Sequence, residues 1–128
     1  MRLLLDTHTL YWWLADHPQL SEPARKLISR PGNTIVASAA STWEIAIKAN
    51  LGKLAISVKF VGDLEGALSL EGFELLAISV EHSVRAGLLP GPHKDPFDRM
   101  LIAQAQAENV PIVSKDAVFD TYGVRRLW

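Results

Sequence analysis

Cysteine is absent from the 128 residues. Its absence excludes a disulfide scaffold, a thiolate zinc site and a cysteine nucleophile, and nothing points to an oxidising compartment. A dominant charge is missing too. Thirteen Lys and Arg stand against fourteen Asp and Glu, for a net charge of −1. That balance argues against a polybasic nucleic-acid coat and against an electrostatic membrane anchor. No apolar run approaches the roughly 20 residues of a membrane span. The apolar start, Leu3-Leu4-Leu5, ends on Asp6 and is too short for a secretory signal, so the expected location is cytoplasmic. Internal repeats and low-complexity tracts are also lacking. What remains is 48% hydrophobic and 21% charged, an ordinary globular composition with chain enough for one core and too little for two. The expectation is one domain spanning 1–128.

Along the chain, strand and helix signals alternate. Leu3-Leu4-Leu5 and Thr34-Ile35-Val36-Ala37 are short apolar runs of the kind buried on both faces. A helix is predicted over His8 to Asp16. A second opens at Ser21-Glu22-Pro23, with Ser as N-cap and Pro in the first turn, and stops by Arg30-Pro31-Gly32. Ser41-Thr42-Trp43-Glu44 has the spacing of a capping box, which predicts a helix opening there and ending at Gly52. Residues 57–71 predict one weak helix, since Gly62 and Gly66 lower its propensity. Phe73 to Ile78 predicts a strand, and Ser79 a helix cap after it. Leu89 to Lys94 reads as loop, Asp95-Pro96 as the start of a helix running to about Glu108, and Pro111-Ile112-Val113 and Val124 to Leu127 as the last strands. This alternation predicts an α/β chain, with helices on both faces of a parallel sheet.

In such sheets ligands bind beyond the carboxyl ends of the strands. Asp6 follows the first strand, Asp116 follows the strand at 111–113, and Glu44 and Asp98 fall in first turns of predicted helices. Four carboxylates at one edge repel unless cations sit among them. An oxygen-only ligand set, with no thiolate and no histidine pair at ligand spacing, suits Mg²⁺ or Mn²⁺. One or two such ions activate water and stabilise the leaving oxygen of a phosphodiester. Each acid also has a structural reading. Glu44 fits the N3 place of its capping box, Asp95 and Asp98 fit N-cap and N3, and Asp116 fits a turn. Asp6 has the least structural purpose, as an acid ending a buried strand.

The blocks Leu4-Leu5-Asp6-Thr7, Ser41 to Lys48, Asp95 to Ala105 and Ser114-Lys115-Asp116 resemble the PIN-domain nucleases, and among them the VapC-type toxins of bacterial toxin–antitoxin pairs. The resemblance runs in the right order over nearly the whole chain. It implies a Mg²⁺- or Mn²⁺-dependent ribonuclease with metal carboxylates at Asp6, Glu44, Asp98 and Asp116. It also implies an α/β/α sandwich around a short parallel sheet, a homodimer and a cognate antitoxin. Two places depart from the family pattern: His8 stands where Asn or Ser is usual, and Ser114 where Thr is usual. Ser114 keeps a hydroxyl able to orient water at the metal, whereas His8 has none.

The remaining candidates have two readings each. Lys48 follows Glu44 at the spacing of a helix ion pair, with phosphate contact as the alternative. Arg99 fits a carboxylate or a phosphate equally, and His93 and Lys94 fit substrate contact or a solvated loop. Trp12 and Trp13 point about 100° apart on a helix, which predicts one in the core and the other at a subunit or antitoxin interface. With the four metal acids set aside, ten acids face thirteen bases, a surplus of +3, so near-neutrality is no obstacle to an RNA substrate. Two rival functions remain. A phosphate-accepting signalling domain lacks an Asp to phosphorylate between Ser38 and Thr42. A metal-free RNA- or protein-binding module would gain nothing from four intact acids.

Overall fold

The computed structural model describes all residues, 1–128. Five strands, β1 (Arg2–Leu5), β2 (Thr34–Ser38), β3 (Glu74–Leu76), β4 (Ile112–Val113) and β5 (Arg126–Leu127), form one sheet in the order β3-β2-β1-β4-β5, parallel throughout. Eight helices connect them: α1 (Thr7–Leu14), α2 (Glu22–Ser29), α3 (Ala39–Asn50), α4 (Val58–Gly62), α5 (Leu64–Leu70), α6 (Val80–Leu88), α7 (Pro96–Glu108) and α8 (Val118–Thr121). None is long and apolar enough to cross a membrane.

Strand side chains alternate between faces, and the two cores record it. Leu3, Leu5, Ile35, Ala37 and Val113 pack with Leu10, Ala24, Ile28, Ile45, Leu64 and Leu68 of the helices on one side. Leu4, Val36 and Ile112 pack with Leu101, Ile102, Ala105 and Phe119 on the other. The expected three-layer α/β/α sandwich is the fold found. The apolar runs lack polar alternation because both faces of the central strands are covered.

Strand order locates the site. From β1 the chain steps outward through β2 to β3, then returns over α6 and α7 to lay β4 on the other side of β1. The β1–β4 junction is therefore the switch point, where a crevice opens beyond the strand ends. Asp6 and Ser114 are the residues immediately after those two strands.

Three local expectations are corrected. The helix predicted to open at Ser41 opens at Ala39, capped by Ser38 through its hydroxyl and the Ala40 N–H at 3.0 Å. The Ser41 hydroxyl is taken by Thr7, whose Oγ1 donates to it at 3.1 Å. The weak helix at 57–71 is two, broken at Asp63. A short α8 follows β4 where no helix was expected.

Candidate active site

Asp6 stands at the switch point and is 5% exposed. It has a structural task that its place in the sequence does not suggest: it is the N-cap of α1, one carboxylate oxygen accepting the Thr9 N–H at 2.7 Å. Its other oxygen accepts from the fully buried Ser114 hydroxyl. That hydroxyl oxygen in turn accepts the Asp116 N–H at 3.0 Å. Thr9 closes the same corner by donating its hydroxyl to the Val113 carbonyl at 2.9 Å. No Lys or Arg pairs with Asp6. Burial pushes its carboxyl above the usual carboxylate range, and the bonds from Ser114 and Thr9 and the nearby His8 only partly offset this.

Glu44 lies in the second turn of α3, not at the N3 place of a capping box, and is 7% exposed. Lys48, one turn on, reaches its carboxylate at 2.9 Å, the helix pair expected from the spacing. Asp95 caps α7, one oxygen accepting the Phe97 N–H at 2.9 Å and the Asp98 N–H at 3.0 Å. Asp98 is left free of capping and meets His93 Nε2 at 2.9 Å. Its carboxyl is raised, first by burial and then by the charges of Asp95 and Asp116, while His93 acts the other way. Asp116 is exposed, and its carboxylate accepts the Val118 N–H at 3.0 Å, the turn role open to it from sequence.

Arg99 does not take the carboxylate role the sequence left open, since it pairs with no Asp or Glu. Its guanidinium donates to the carbonyls of Ala86, Leu89 and His93. It ties the end of α6 to the loop 89–94 and touches neither a carboxylate nor open solvent with a free fork. The same loop presses Gly91 (φ +90°) onto Tyr122: a Cβ there would lie 2.9 Å from the phenol oxygen. The loop thus holds His93 over Asp98. Lys94 beside it is exposed and has no ion pair.

Of the aromatic residues, Trp12 and Trp13 are both half-buried against the first core, rather than one in and one out. Trp43 is 59% exposed and stands edge-on to Phe97. Thr7, Thr9 and Ser41 were missed by sequence reasoning. The one signal for the first two is the Thr-His-Thr run directly after a strand-ending acid.

The donor chemistry of this edge fits a hard divalent cation. The candidate ligands are all carboxylate oxygens, and Asp6 and Asp98 sit in surroundings that penalise their charge, with no Lys or Arg paired to either. No three acidic or imidazole side chains converge closely enough in this conformation to make a ready cation site.

Comparison with known proteins bears on this geometry. The model of the PIN domain matches residues 3–124. Ribonuclease VapC22 of Mycobacterium tuberculosis is 30% identical over 115 residues, covering 89% of this chain and 86% of that protein. Among solved structures, VapBC2 from Rickettsia felis bound to a promoter DNA fragment matches with a TM-score of 0.72 and 20% identity, covering 99% of this chain and 98% of the other. Mycobacterium tuberculosis VapC20, described as a sarcin–ricin loop cleaving toxin, matches with a TM-score of 0.73 and 9% identity over 95% of both chains. At such identities the structures speak for the fold, while the domain match extends over nearly all of the sequence that carries the four acids. The chain belongs to the PIN-domain family.

Proposed function

We propose that this chain is a divalent-metal-dependent endoribonuclease that hydrolyses RNA phosphodiesters, and that it is the toxin of a toxin–antitoxin pair acting in the cytoplasm. The observation that carries the reading is Asp6 at the switch point: a buried carboxylate without a cationic partner, joined through Ser114 to the backbone of Asp116. The 30% identity to a protein named a ribonuclease supports the reaction, and the VapBC complexes among the structural neighbours support an antitoxin partner.

Asp6, Glu44, Asp98 and Asp116 would hold Mg²⁺ or Mn²⁺. Once bound, the ion supplies Lewis acidity at the phosphoryl group and a nucleophile at neutral pH. The protein's own part is to hold the carboxylates. Ser114 orients Asp6, His93 orients Asp98, and Lys48 pairs with Glu44 in its buried position. Loading competes with the His93 and Lys48 contacts. Lys94 is the exposed cation best placed on this loop for a substrate phosphate, and Arg99 serves substrate only by fixing the loop.

The test is cleavage of total RNA with Mg²⁺, with Mn²⁺ and with a chelator, the fragments mapped at both ends. Cleavage with either metal and none in chelator is expected. Full cleavage in chelator would remove the metal mechanism. Failure to bind Mn²⁺, together with no cleavage, would favour the metal-free binding module.

A further inference from the structure

Four aromatic rings cluster where α1 leaves the active edge. Trp12 stands at the centre, its ring centroid 5.7 Å from that of His8, 6.0 Å from His17 and 5.9 Å from Trp128. His8 is exposed and the other three are half-buried. The group is held in place from below. Trp12 and Trp128 rest on the first core. His17 stacks on Trp12 with 25° between planes, and its own Nδ1 accepts the Gln19 N–H at 3.1 Å. Neither indole N–H is bonded within the chain, yet neither is buried; the buried polar atom without a partner is the Tyr122 hydroxyl. Each indole is thus packed on one side and carries an unused donor at its wet edge, the form of ring that suits a binding surface.

Topology sets this group on the active edge. His8 is the second residue after Asp6. Leu127 pairs with Val113, so Trp128 stands level with Ser114, one strand over. From the other side the Asp6 N–H donates to the Val113 carbonyl at 3.2 Å. Trp128 therefore leaves the sheet two strand spacings from Asp6, about 10 Å. On the strand between them Lys115 follows Ser114, exposed and without an ion pair.

We propose that His8, Trp12 and Trp128 form a stacking platform for unpaired bases of single-stranded RNA next to the scissile phosphate, with Lys115 on the backbone beside them. Continuity with the acids decides the occupant: whatever lies on the rings is joined to whatever lies at Asp6. The aliphatic side chains that a protein partner would cover are exposed elsewhere, as Ile47 and Leu51 of α3 and Val58 of α4. Every base has a π-face, so rings hold unpaired bases of any sequence, whereas the bases of a duplex are already stacked on one another. Charge points the same way. A net charge of −1 gives little general attraction for phosphates, so affinity has to come from contacts that need no charge.

The choice of RNA rests on the nuclease reading, but the test needs no cleavage. The probe is a short single-stranded RNA with phosphorothioate linkages, which resist hydrolysis, titrated with the full chain in Mg²⁺ and read by fluorescence anisotropy. A strand of the same length without bases should bind the wild type about 5-fold or more weakly, the least that one stacked base contributes. His8→Ala, at an exposed position, and Trp128→Leu should each reduce that preference and together abolish it. Trp128→Phe should keep most of it. Lys115→Ala should weaken both strands equally, because a phosphate contact does not read the base. Circular dichroism checks that the variants fold, and if Trp128→Leu does not, His8→Ala and the two strands on the wild type still decide. A wild type that binds both strands equally, or a folded double variant that keeps the preference, would overturn the platform, even if that variant had lost a protein partner. A chain that prefers the strand with bases but leaves unmodified RNA uncut would uphold the platform and fail the nuclease reading instead.

Discussion

Replacing Asp6 separates its two tasks, capping α1 and holding a cation, because Asn performs the first and not the second. Asn and Asp are equally good N-caps, so the Thr9 bond survives Asp6→Asn, and the new amide can still meet the Ser114 hydroxyl. The change removes a buried charge whose desolvation outweighs the bonds it receives. A carboxyl raised in the folded state costs stability at every pH above its folded pKa, and that cost fades as the pH falls towards the unfolded value. At neutral pH and in chelator, Asp6→Asn should therefore melt above the wild type. Asp6→Ala should melt below it. It loses the cap, about 1 kcal/mol, and strands the buried Ser114 hydroxyl, about 1–3 kcal/mol more. At roughly 3–5 °C per kcal/mol for a domain of this size, the fall is roughly 6–20 °C. Manganese should reverse the order of wild type and Asn variant. At ten times its dissociation constant it stabilises the wild type by about 1.4 kcal/mol and leaves the Asn variant unmoved. Differential scanning fluorimetry with and without Mn²⁺ reads all of this. An Asn variant that melts below the wild type in chelator, or that gains as much from Mn²⁺, would refute the reasoning.

The two aspartates of the third motif should part company. Asp98→Asn should lower RNA cleavage at least about 100-fold, while Asp95→Asn, which keeps both capping bonds, should leave rate and melting temperature nearly unchanged; the reverse ranking of initial rates would reassign the ligand. Arg99→Ala should cost about 1–3 kcal/mol by freeing three partly buried carbonyls, and Arg99→Lys should recover little of it, because one ammonium cannot span them. An Arg99→Ala protein with wild-type melting but weakened RNA binding would return Arg99 to the phosphate. At the opposite edge of the sheet, Glu74 is held below its ordinary value of 4.5 by its hydrogen bonds to Arg2. Its stabilising effect is thus present above about pH 4.5 and lost as the pH falls below it. Glu74→Gln should flatten the fall of melting temperature with acidification in that range, and an unchanged slope would assign the acid sensitivity to other carboxylates.

Much of this site was legible one segment at a time. The Asp95-Pro96 start of α7 and the Ser79 cap of α6 needed only their own few residues, and both appear as read. The S-x-x-E pattern at Ser41 misled for the same reason. It is a sound local cap signal, but Ser38 at the end of β2 was the earlier stop, and the Ser41 hydroxyl was committed to Thr7 across the chain. Arg99 was ambiguous because nothing within its own helix names the carbonyls of Ala86, Leu89 and His93 as partners.

By itself the sequence determined the alternation of buried strands and capped helices, the absence of thiol chemistry, and the order of the four acids. These depend on side-chain type and on neighbours within a turn or two, which hydrophobic periodicity and capping report directly. Only the tertiary structure decided that β4 lies beside β1, which brings Ser114 onto Asp6. It alone decided that Glu44 is buried against Lys48, and that Val80, Val84 and Leu88 face outward. Those outcomes follow from which faces the two cores cover. That choice is made by the packing of the whole chain, since each distant contact must offset the entropy of bringing its segments together.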